Sequence, residues 1–89
     1  MKQIWKWPLE LTRDQTIAAP AGTRLLAVGD QGGRLMVWGE VVVDHADRVR
    51  IDLAIYGTGH ALPDNPGRYL GTVLQGAFVW HVYDASGLR

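Results

Sequence analysis

Between Val49 and Tyr56 the chain alternates Val49, Ile51, Leu53 and Ile55 with Arg50, Asp52, Ala54 and Tyr56. A period of two sends one set of side chains to a buried face and the other outward, which a strand does and a helix does not. Shorter segments of the same kind recur on both sides. Gln3–Trp7 runs up to Pro8, Gln15–Ala18 precedes the turn Pro20-Ala21-Gly22, and Arg24–Gly29 leads into Asp30-Gln31-Gly32-Gly33, whose paired glycines suit a hairpin loop. Arg34–Val43 is the longest apolar run, and Tyr69–Leu74 and Ala77–Tyr83 flank a second hairpin turn at Gln75-Gly76. No segment holds a helical period over about ten residues, and turn residues punctuate the chain at short intervals. Parallel strands would need long crossover connections, so the expectation is an all-β fold, a small antiparallel β-sandwich or barrel of about six to seven short strands.

The same alternation assigns faces. In Arg24–Gly29, Leu26 and Val28 point one way and Leu25 and Ala27 the other. In Arg34–Val43, Leu35, Val37, Val41 and Val43 oppose Met36, Trp38 and Val42, so both faces are expected to be partly covered. Gly39 inside that run suggests a bulge or the close approach of another backbone. Asp44-His45-Ala46-Asp47 is expected to be a solvated hairpin turn. It carries metal-ligand residue types, but nothing nearby completes a coordination shell, so no metal is expected.

With 89 residues the chain is expected to be one β domain, 1–89, with 84–89 as a C-terminal tail. There is no cysteine, so packing alone must stabilise the fold. Four tryptophans, Trp5, Trp7, Trp38 and Trp80, are expected to fill the core or a face shared with another copy, and a homo-oligomer is the expected state. Nine basic and nine acidic side chains cancel, which removes the electrostatic case for long nucleic acid or an anionic membrane. A small anion needs only a local cluster and stays compatible with neutrality. The amino-terminal stretch holds no apolar run of signal-peptide length, and a cytoplasmic location is expected.

The candidate site is the stretch Ile55–Thr72, which gathers glycines, prolines, tyrosines, His60 and Arg68 between two apolar strands. Gly57-Thr58-Gly59-His60 follows a strand, where consecutive unhindered N–H groups can curl around an anion and Thr58 and His60 can donate. It lacks the glycine spacing of a dinucleotide fingerprint and the lysine of a P-loop, and from residue types alone a plain glycine-rich strand exit is the better explanation. Pro63 and Pro66-Gly67 read as two linked turns. Around that rigid loop, Tyr56 and Tyr69 offer stacking faces and His60 and Arg68 offer phosphate donors, the contacts a nucleotide-like ligand most needs. His81 lies among apolar residues and reads as a hydrogen-bonded surface or subunit-contact histidine. With no cysteine and with Ser86 only in the tail, a hydrolytic nucleophile is hard to assemble.

Over nearly its full length the chain resembles a family of small phage and prophage proteins of undefined function. The resemblance rests on Ile4-Trp5-Lys6-Trp7-Pro8-Leu9, Gln15-Thr16-Ile17 with Pro20-Ala21-Gly22, Ile55-Tyr56-Gly57-Thr58-Gly59-His60 with Leu62-Pro63, and Gly71-Thr72 before Phe78-Val79-Trp80-His81-Val82. Small phage proteins of this size include sponges that sequester the cyclic nucleotide or cyclic ADP-ribose-type signals of bacterial immunity. The resemblance implies an anti-defence protein of the host cytoplasm that binds such a signal without cleaving it. The expected ligand-binding residues are Tyr56, Gly57, Thr58, Gly59, His60, Arg68 and Tyr69, with no catalytic residue, metal or cofactor. A structural or protein-interaction module, such as a virion accessory protein or an inhibitor of a host enzyme, is the alternative, and a nucleotide-cleaving enzyme the third.

Overall fold

Seven antiparallel strands form, in a computed structural model that describes residues 1–88. They are β1 (Lys2–Pro8), β2 (Asp14–Pro20), β3 (Arg24–Gln31), β4 (Arg34–Val42), β5 (Arg48–Gly57), β6 (Arg68–Gln75) and β7 (Phe78–Asp84). Each forms where the period-two pattern meets β-branched or aromatic residues, and each ends at or within two residues of a glycine, proline or aspartate. A three-stranded sheet, β1-β4-β3, packs on a four-stranded one, β2-β5-β7-β6. The fold is thus the expected sandwich and not a closed barrel. Ser86–Leu88 adds a short 3-10 turn, and the Ala85 N–H donates to the Asp52 carbonyl at 2.8 Å, so most of the expected tail is tied to the domain. Arg89 lies outside the described residues.

The core sits between the inner faces. Leu25, Leu35, Val37, Leu53 and Val82 are almost fully shielded there, with Leu9, Ile17, Ile51, Ile55 and Val73 around them. Burying a side chain of this size stabilises by about 1.5–3 kcal/mol. Trp7 and Trp80 pack against this cluster from its margins, while Trp5 and Trp38 are half-buried. None of the four is among the fully shielded side chains at the centre, which are aliphatic.

The two sides of the sandwich differ. On one, β3 lies beside β6 and the Arg68 guanidinium donates to the Leu25 carbonyl at 2.8 Å, joining the sheets. Gln75 does the same from its Nε2, to Asp30 Oδ2 at 2.9 Å and the Gly33 carbonyl at 3.1 Å. On the other side β1 and β2 are both edge strands, bridged by the Trp7 indole N–H donating to the Ala18 carbonyl at 3.2 Å.

Three local expectations are corrected. The irregularity near Gly39 is not in β4: the register shifts in β3 between Leu25 and Ala27, and what crowds Gly39 is the Trp7 ring, Leu25 and Thr23 side chains rather than a backbone. This bulge resets the face of β3, so Leu25 and Val28 both turn toward the core and Leu26 is exposed. Asp44–Asp47 is not a hairpin either, because β4 and β5 belong to different sheets. Asp44 there takes the amino-terminal ammonium at 2.5 Å and His45 Nδ1 meets the Ala21 carbonyl at 2.6 Å.

Candidate functional site

Residues 58–67 form a crossover. β5 and β6 both pair antiparallel with β7, which lies between them, so they run parallel, and the chain leaving β5 at Gly57 must travel back along the sheet to begin β6 at Arg68. Gly57 sits opposite Trp80, whereas Arg68 sits opposite Asp84, four positions along the same strand. At about 3.3 Å per residue this separates them by roughly 13 Å. The loop passes over the outer face of the four-stranded sheet. Ala54 and Tyr56 lie on that face and are nonetheless buried.

Gly59 turns the chain at the loop's start with φ of 89°, and the His60 N–H donates to the Gly57 carbonyl at 3.1 Å. The His60 ring folds back over Gly57, whose own N–H donates to His60 Nδ1 at 3.3 Å. A Cβ on Gly57 would stand 2.9 Å from that ring, so glycine lets the imidazole lie this close, and any larger residue would push it outward. With Nδ1 used as an acceptor, Nε2 of this exposed histidine is left to donate outward.

Two shallow clefts meet at this turn. One, of about 260 Å³, lies between Gly57, Thr58 and His60 and the start of β7, where Phe78 and Trp80 stack at 5.6 Å with 15° between their planes. The other, of about 170 Å³, runs beneath the loop and is walled by Tyr56, Leu62, His81 and Tyr83. Tyr83 makes ring contacts with Tyr56 at 5.9 Å and Tyr69 at 5.5 Å. The Arg13 guanidinium lies 5.5 Å from the Tyr56 ring centre, placing a cation beside the second cleft.

A hydrogen-bonded line crosses the same face. Thr58 Oγ1 is 2.7 Å from His81 Nε2, His81 Nδ1 is 2.9 Å from Thr72 Oγ1, and that hydroxyl meets the Tyr69 phenol. Thr58 and His81 have the spacing of a nucleophile and its base. The group behind the imidazole, however, is the Thr72 hydroxyl instead of a carboxylate. This line therefore lacks the third member of an acid–histidine–hydroxyl triad, and it fixes the positions of Thr58 and the His81 ring.

The structure therefore brings together Tyr56, Gly57, Thr58, Gly59 and His60, and connects Tyr69 to them through Thr72 and His81. It does not bring Arg68. That side chain serves the Leu25 carbonyl and lies 3.9 Å from Asp84 Oδ2, at the far end of the crossover. Sequence reasoning missed Arg13, which belongs to a distant loop, and Phe78, Trp80 and Tyr83, which read as ordinary strand positions. The one available signal was that His81 and Tyr83 share the outer face of β7.

Fold and site define a small antiparallel β-sandwich with an aromatic and polar cleft under a crossover loop. The chain belongs to the family described as Domain of unknown function (DUF7352), whose sequence model matches residues 1–88. Neither the curated proteins nor the solved structures contain a match.

Proposed function

We propose that this protein binds a small, planar, anionic ligand of nucleotide-derived type in the clefts around the Gly57–His60 turn and holds it without turnover. The observation that carries this reading is the convergence of unlike groups at one turn: an exposed aromatic stack on one side, a tyrosine and histidine wall on the other, and His60 and Arg13 as donors. Phe78 is 62% exposed, and a base stacking on it would recover contact area that the fold alone leaves in water. His60 Nε2 and the N–H groups of the turn would meet a phosphate. In the setting that the resemblance to phage and prophage proteins implies, such binding would sequester a cyclic nucleotide or cyclic ADP-ribose-type immune signal in the host cytoplasm.

The test is to incubate the protein with extract of phage-challenged cells, release what it holds by heat, and identify it by mass spectrometry. An intact nucleotide species is expected. A cleaved product whose appearance depends on His81 or His60 would replace binding with hydrolysis. Leu62 in the second cleft and Phe78 in the first, both large and exposed, favour a second reading in which the clefts dock a protein. Under that reading a host polypeptide, and no small molecule, would be retained.

A further inference from the structure

Backbone polar groups in β1 are paired on one edge only. The Leu9 N–H donates to the Leu35 carbonyl at 2.9 Å and the Val43 N–H to the Met1 carbonyl at 3.0 Å, continuing the β1–β4 register at both ends. In an antiparallel ladder hydrogen-bonded pairs alternate, so Gln3, Trp5 and Trp7 spend their N–H and C=O groups on β4. Those of Lys2, Ile4 and Lys6 then point away from the sheet, where no strand among the described residues meets them. An open edge of this length is a template for another strand unless charges or prolines block it.

The usual block is withdrawn here. Lys2 Nζ reaches back over its own sheet to Glu40 Oε1 at 2.9 Å, and Lys6 Nζ to Gln31 Oε1 at 2.6 Å. Pro8 interrupts only the last position. Ile4 is 64% exposed on one face of the edge, and Trp5 is half-buried on the other. The β2 edge is a poorer template, since the Ala18 carbonyl already accepts from Trp7 and Pro20 has no N–H.

We propose that β1 is the docking edge for a second copy of this chain, which adds its own β1 antiparallel so that the two three-stranded sheets become one. The outward groups restrict the register. Pairing Ile4 with the partner's Ile4 sets Lys2 against the partner's Lys6, and pairing Lys6 with the partner's Lys6 repeats the fault at the two-fold axis; like charges directly opposite are unfavourable. Pairing Ile4 with the partner's Lys6 avoids both. It centres the two-fold on Trp5, which then meets the partner's Trp5 at a non-hydrogen-bonded position, where side chains approach most closely, and sets Gln3 against the partner's Trp7. The strand is self-complementary in this register, as an isologous contact requires.

Light scattering at micromolar concentration is expected to give twice the 9.8 kDa chain mass. Ile4→Pro removes an N–H that the monomer does not use and is expected to give a folded monomer by mass and circular dichroism. Thr16→Pro, placed the same way on the β2 edge, is expected to stay dimeric. Trp5→Cys, the sole cysteine in that chain, is expected to form an interprotomer disulfide under mild oxidation, which also decides the matter if Ile4→Pro fails to fold. A monomeric wild type, a dimer that survives Ile4→Pro, or an unlinked Trp5→Cys protein would overturn the proposal.

Discussion

Arg68 is half-exposed, yet its guanidinium satisfies the carbonyl of Leu25, a residue only 1% exposed. Removing the donor leaves that carbonyl without its partner at a sheet–sheet contact, a loss of about 1–3 kcal/mol, whereas the 3.9 Å approach to Asp84 contributes little at this exposure. Arg68→Ala is therefore predicted to lower urea-unfolding stability and to leave ligand affinity unchanged. Lys2 is a second residue whose reach matters. Its hydrogen bond and charge hold the Glu40 carboxyl below the usual carboxylate range. Because the native value is lowered, the stabilisation is complete above the unfolded carboxylate pKa and is lost as pH falls through the native one. Lys2→Ala is predicted to return Glu40 toward the ordinary range, which carboxyl NMR titration reads directly.

Among the elements, strands were the legible part, since alternation and turn residues are local signals and each of the seven lies where they predict. Sheet membership was not legible. Asp44–Asp47 has hairpin composition, and only packing shows that it passes from one sheet to the other. The bulge in β3 is likewise silent, because Leu25, Leu26, Ala27 and Val28 alternate acceptably in a straight strand. The crossover explains the misplaced cation: Arg68 is close to His60 in sequence, but the intervening loop spans the sheet, while Arg13 arrives from elsewhere. This loop gives an element-scale prediction. Gly67, with φ of 104°, ends it where an added Cβ would lie 2.2 Å from the Asp84 carbonyl oxygen, whereas Gly59, with φ of 89°, has open space around it. Gly67→Ala should exceed the about 1–3 kcal/mol of backbone strain that Gly59→Ala incurs alone. Calorimetric melting of the two variants checks the order.

For the whole molecule, the sandwich leaves one face of the four-stranded sheet roofed by the crossover, where the proposed ligand would bind, and a neutral chain has no long-range field to recruit a polyanion. Binding should accordingly change little with salt compared with a nucleic-acid binder. The central claim is that the Gly57–His60 turn holds a small nucleotide-like anion. Its most direct test is calorimetric titration of a panel of cyclic nucleotides and cyclic ADP-ribose into wild type, His60→Ala and Arg13→Ala, with thermal melts alongside. The account predicts that one member binds wild type and that each alanine variant loses about 1.5–3 kcal/mol of affinity, at least roughly tenfold, while melting as wild type does. Equal affinity in wild type and His60→Ala, or no binding of any member to wild type, would contradict it.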